Sequence, residues 1–204
     1  TIKLDGNYPV GTDNVALGNA ALDSVEAGGI NNVAIGDNAG TAITTGDSNT
    51  AIGKDSLLTN TTTSNNVAVG TNTLKVNVGS NNVAVGVDAM LANTSGTLNV
   101  AVGRQALDAN TTGACNTAVG QGALTTNTTG TGNTAIARQA LFLNTEGDDN
   151  IALGNTSLCA NTTGDNNVAI GRLALRNNTT ANENVGIGKE ALCANQTGTA
   201  NTAV

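Results

Sequence analysis

Histidine and tryptophan are both absent from this chain, and its aromatic rings amount to Tyr8 and Phe142. Without imidazole the usual acid–base triads and most metal sites lose their commonest member. Without rings, a globular core of ordinary composition is excluded, because cores of chains this long draw heavily on aromatic burial. No run of about 18 apolar residues occurs, so no membrane insertion is expected in this segment. Basic residues are few, eight against fifteen acidic, for a net charge of -7. They read as scattered rather than striped, so nucleic acid is not an expected partner. The acidic excess is expected to keep a long β surface in solution. The carboxylates show no recurring place either, which argues against a calcium stack; Asp148-Asp149 is the one adjacent pair. The glycines are not followed by the Gly-Lys-Ser/Thr of a phosphate loop.

Cysteine is scarce as well, at Cys115, Cys159 and Cys193. The last two share a repeat position two units apart. At about 4.8 Å per unit they would stand roughly 9.6 Å from each other, beyond the roughly 7 Å limit for a disulfide. Three free thiols are expected. No residue is assigned a catalytic, cofactor-binding or metal-ligating role, and no cofactor is expected. The Asn-X-Thr/Ser triplets, as at Asn110 and Asn127, are generated by a repeat and read as turn chemistry.

What the chain has is that repeat. Asn-(Val/Thr/Ile)-Ala-aliphatic-Gly recurs with its Asn at 14, 32, 49, 66, 82, 99, 116, 133, 150, 167, 184 and 201. Successive gaps are 18, 17, 17 and 16, then 17 seven times, making eleven complete units and the start of a twelfth. Residues 1–13 form a non-repetitive lead-in and residues 14–204 the array. A unit this short buries no core alone and must stack on its neighbours. The expected fold is all-β, a repetitive parallel β-roll or solenoid of about 17-residue coils.

One unit, Asn99 to Cys115, serves as the type. Its first five residues read as a short strand, with the second and fourth side chains on one face and the first, third and fifth on the other. The third position is Ala in every unit but one, where it is Gly186. A face held to Ala and Gly approaches another backbone closely. Which face is the roll's interior stays open from sequence alone. The fourth-position aliphatics, such as Val102 and Val119, and the ninth-position leucines, such as Leu124, are expected to be buried. Gly at the fifth position opens a corner, with Ala137 its exception. Ala-Leu at the eighth and ninth reads as a second short strand or a single helical turn. Asn-Thr-Thr-Gly closes the unit as a turn. The invariant opening Asn is expected to stack as an amide ladder between coils.

Asn32 to Gly36 and Asn167 to Gly171, both Asn-Val-Ala-Ile-Gly, resemble the head repeats of trimeric autotransporter adhesins. The longer unit from Asn116 to Gly130 is similar to repeats of bacteriophage tail-fibre proteins. The resemblance covers residues 14–204. It implies a left-handed roll assembled as a homotrimer, a rod on a virion or bacterial cell surface that supports host attachment. Adhesin head repeats are usually shorter than 17 residues, the added length falling around Ala-Leu and Asn-Thr-Thr-Gly. With almost no aromatic platform for glycans, receptor binding is expected in regions outside this chain. Two other functions fit parts of the pattern: an ice-binding Thr-rich solenoid, and a tailspike-like polysaccharide depolymerase using carboxylates such as Asp148 and Asp149. The expectation is a structural segment and no enzyme.

Overall fold

The computed structural model describes residues 13–204; of the lead-in, residues 1–12 lie outside it. Twelve short strands follow one another: β1 (Val15–Leu17), β2 (Val33–Ile35), β3 (Thr50–Ile52), β4 (Val67–Val69), β5 (Val83–Val85), β6 (Val100–Val102), β7 (Thr117–Val119), β8 (Thr134–Ile136), β9 (Ile151–Leu153), β10 (Val168–Ile170), β11 (Val185–Ile187) and β12 (Thr202–Ala203). They form one sheet in sequence order. Every pairing is parallel and matches repeat position to repeat position, as Val100↔Thr117 and Ala101↔Ala118 show. The chain is therefore a parallel β-solenoid of eleven turns, about 50 Å tall at about 4.8 Å per step. The 16-residue unit leaves this register intact, with Val67 still opposite Val83; the missing residue is absorbed in the closing turn at Asn77-Val78-Gly79.

Which face is interior is now decided. The third-position alanines from Ala34 to Ala169 are fully buried, those of the end strands, Ala16 and Ala203, half-buried; the eighth-position Ala106 and Ala123 and the ninth-position Leu107 and Leu124 are fully buried. The expectation for the leucines holds. The expectation for the fourth position is overturned: Val102 is 37% exposed, Ile136 41%, and Val119 half-buried. The reason is the thinness of the coil. A Cβ built on Gly186 would lie 3.2 Å from Leu175 Cγ and 3.1 Å from the Ala191 carbonyl. Only a methyl fits between strand and opposite turn, so the branched side chains of the second and fourth positions point outward.

The Ala-Leu segment is neither a strand nor a helical turn. Its seventh and ninth residues take left-handed backbone angles, +58° at Gln105 and +52° at Leu107. Non-glycine residues adopt these at a cost of roughly 1–2 kcal/mol each, and here the stack offsets it. Gln105 N–H donates back to the Val87 carbonyl one coil below at 3.0 Å, and Leu107 N–H forward to Ala123 at 3.0 Å. Turn peptides thus stay parallel to the stack axis and remain paired between coils, as buried backbone groups require.

The fifth-position corner favours glycine. Gly103 has φ +133°, and a Cβ there would sit 2.6 Å from the Gly120 carbonyl oxygen. Ala137, at φ 107°, carries the same corner with a methyl.

Two amide ladders, one expected and one not, run up the interior. At the first position, Asn99 Oδ1 accepts the Asn116 backbone N–H at 2.9 Å, tying one coil to the next. Asn99 Nδ2 donates to the Gly113 carbonyl at 2.8 Å and so closes its own coil. The second ladder stands at the twelfth position, where Asn110 Nδ2 donates to Asn93 Oδ1 at 2.7 Å and to the Gly113 carbonyl at 3.0 Å. It continues without a gap from Asn77 to Asn195. Gly113 receives both amides, and a Cβ there would lie 2.5 Å from Asn110 Oδ1. The closing Asn-Thr-Thr-Gly is therefore an interior feature as much as a turn.

Candidate functional site

Strands of three residues between buried Asn and Gly leave two side chains per coil pointing away from the interior. Repeated over twelve strands, they make one flat outward face of Val, Ile, Leu and Thr. Val15, Ile35, Val102, Ile136, Ile151 and Ile187 on it are exposed. A contiguous apolar surface of this kind marks an interaction site.

Charged residues border that face in an arrangement not visible as a stripe in the linear sequence. Five basic residues share the sixth position, just past the glycine corner: Lys54, Arg104, Arg138, Arg172 and Lys189, all exposed. The reading of scattered basic residues is corrected by the stack, which converts a 17-residue period into a vertical row. The acidic residues are corrected likewise. Asp47, Asp148 and Asp165 share the sixteenth position, with Asp13, Asp149 and Glu183 beside them at the seventeenth. They line the opposite border, just before each strand begins. Asp148 Oδ1 accepts the Thr131 N–H at 2.7 Å and its hydroxyl at 3.0 Å, and Asp165 Oδ1 accepts the Asp148 N–H at 2.8 Å. These carboxylates cap backbone donors in the turn. Among the described residues no three His, Cys, Asp or Glu side chains gather as metal ligands.

Just past the basic row, Asp55 is held below its ordinary value by the Asn38 amide and by Lys75, whose ammonium lies 3.4 Å away. Asp108 moves the other way. Burial raises its value, and the nearby Asp88 carboxylate adds to this. Its Oδ1 is buried without a hydrogen-bond partner. Thr125, one coil on at the same tenth position, instead donates its hydroxyl to the Gln105 carbonyl at 3.0 Å.

The threonines of the closing turn divide by depth. Thirteenth-position hydroxyls donate along the axis, Thr111 to the Thr128 carbonyl at 2.9 Å and Thr128 to Thr145 at 3.0 Å. Fourteenth-position side chains such as Thr112, Thr129 and Thr163 are exposed. Cys115 is exposed, Cys159 and Cys193 are half-buried, and all three are free thiols. No helix among the described residues is long and apolar enough to cross a membrane.

No family model matches this chain, and neither a curated protein nor a solved structure matches it.

Proposed function

We propose that this chain is a rod-forming segment of a surface fibre, assembled as a homotrimer of left-handed rolls, on a virion or a bacterial cell surface. One observation carries the reading: branched aliphatic side chains occupy the outward face of the sheet along its whole length. Burying that face against identical chains removes apolar area from water at about 25 cal/mol per Å². Nothing in a single coil does so. The tail-fibre and adhesin resemblance of the repeat supports the same assembly and the same location. The role is mechanical: the rod holds a host-binding region, carried elsewhere, away from the surface. It needs no cofactor and performs no catalysis.

Sedimentation equilibrium of the segment tests this. The expected mass is three times the 20.0 kDa of one chain, and a folded monomer at micromolar concentration overturns the reading.

A second reading, ice binding, has one observation in its favour, the exposed threonine row at the fourteenth position. The row is interrupted by Ser95 and Glu146 and lies in a turn rather than on the flat sheet. Measurable thermal hysteresis in freezing solutions would favour it over the fibre. A depolymerase would require sugar release lost on Asp148→Asn or Asp149→Asn.

A further inference from the structure

A uniform apolar face raises a problem that the fibre reading does not solve. Val, Ile and Thr repeat almost identically in every coil, so identical chains displaced by one coil uncover only an end coil and gain nearly the same burial. Register is weakly specified by such a surface. Something else must align the chains.

Resting on the homotrimer reading, we propose that the basic and acidic rows bordering the sheet form an electrostatic clamp between neighbouring chains, which sets them parallel and in register. The rows stand on opposite sides of the outward face, six or seven residues apart along the chain, as Glu183 is from Lys189 and Asp47 from Lys54. Within the chain they do not meet. The described ion pairs are Lys54–Asp37, Lys75–Asp55 and Lys189–Glu190, and none joins the two rows. Arg104, Arg138 and Arg172 take part in none of them. Rotation about an axis parallel to the stack places the basic border of one copy against the acidic border of the next. An antiparallel arrangement would set base against base and acid against acid.

The coil-by-coil order selects the offset. Three strands carry an acid before them and a base after them: Asp47 and Lys54 around β3, Asp165 and Arg172 around β10, Glu183 and Lys189 around β11. With no offset, these three pairs meet across each boundary and no like charges do. Asp37 then faces Ile30 and Asn31, while Asp148 and Asp149 face Asn155. A shift of one coil in either direction keeps only two basic residues opposite acids, and brings Asp37 against Asp47 or against Asp13. Each exposed pair contributes little alone. Three boundaries repeat the pattern, and like charges directly opposed oppose the wrong offsets.

The test is a charge reversal confined to the basic row, Lys54→Glu, Arg172→Glu and Lys189→Glu together. The wild-type association constant is measured beside it by sedimentation. At low salt the variant is expected to associate at least about tenfold more weakly. That difference should vanish at 1 M salt, where the Debye length falls to about 3 Å. Adding Asp47→Asn, Asp165→Asn and Glu183→Gln removes the new repulsion between chains, leaving only that within each chain at Asp37 and Glu190, and is expected to recover most of the loss. The Asn substitutions preserve the turn, since Asn182 already accepts the Asp165 N–H at 2.8 Å. Equal association of wild type and variant at every salt concentration, or a loss that neutralisation fails to recover, overturns the clamp while leaving the trimer standing. A monomeric wild type overturns the homotrimer reading and the clamp with it.

Discussion

In the second coil, Gly40 and Ile43 stand where the sixth coil has Leu107 and Asn110. Both pairs fill the same cross-section. In the sixth coil Leu107 fills the space beneath the sheet, and Asn110 bonds the coil below and the Gly113 carbonyl. In the second, Ile43 is buried and supplies the bulk that glycine lacks; a Cβ on Gly40 would lie 3.0 Å from Ile43 Cδ1. The first coil uses Val25 at the same twelfth position, so the second amide ladder is absent from both early coils. The coil's shape therefore needs a filled interior and a closed turn, and either packing or amide bonding closes it. The third coil is the transition between them: Asn60 is buried after Ile43 and bonds only within its own coil, its Nδ2 donating to the Thr63 carbonyl at 3.0 Å.

Exchanging the two solutions should give the largest effect. Ile43→Asn alone removes packing and places an amide above Val25, with an expected loss of about 2–5 kcal/mol. Gly40→Leu alone overpacks against Ile43 and Leu22 and should cost about 1–3 kcal/mol. The double variant restores the Leu–Asn pattern, and Gly40 already has φ +58°, close to the angle that leucine adopts in the other coils. Its stability should return to within about 1 kcal/mol of wild type, a strongly non-additive cycle in chemical denaturation. Additive losses would show that the two coils do not share one cross-section.

Removing a rung where the ladder is complete should have a smaller effect. Asn127→Ala strips Asn110 Oδ1 of its donor but leaves Gly130 bonded to Asn116 Nδ2 at 2.8 Å. Asn144 Nδ2 also loses Asn127 Oδ1 and keeps only the Gly147 carbonyl at 2.9 Å, and leaving these buried groups unpaired costs about 1–3 kcal/mol. Amide exchange should quicken most in the adjoining coils, and no change in stability would mean that the ladder follows the stack rather than holding it.

The smallest effect should come from the tenth position, where the second coil has Thr41 and the sixth Asp108. Thr41 donates its hydroxyl to the Ala20 carbonyl, whereas an ionised carboxylate has no proton to give. The folded-state value of Asp108 is raised by burial and Asp88. Its neutral form is therefore the better tolerated one, and stability is lost as pH rises through the folded value. Asp108→Asn should accordingly raise the melting temperature at pH 7 and leave it little changed below the ordinary carboxylate value of about 3.9. An equal shift at both pH values would remove ionisation as the cause.

Much of this was legible in advance. The period gave the solenoid, since units this short stack or do not fold. The first-position Asn ladder followed from an amide recurring without exception. The fourth-position aliphatics were misplaced because alternation separates two faces without saying which is inside. The constant Ala and Gly of the third position were the available clue: the face with no room is the one enclosed. The twelfth-position ladder could have been found from the Asn of Asn-Thr-Thr-Gly, had that Asn been counted by period rather than as a turn residue. The charge rows were hidden for a related reason. Arg138 and Arg172 are 34 residues apart in the chain, yet belong to one column.

That this chain stacks, with what period, and which residues recur at each level is written in its residues, because a 17-residue repeat dictates register between identical coils. Which face closes on itself and which remains available emerges only when the coil is folded, because that choice depends on the space between a strand and the turn opposite it. The depth left by Leu107 and its counterparts admits a methyl and nothing larger, and this places the branched face and both charged borders on the outside.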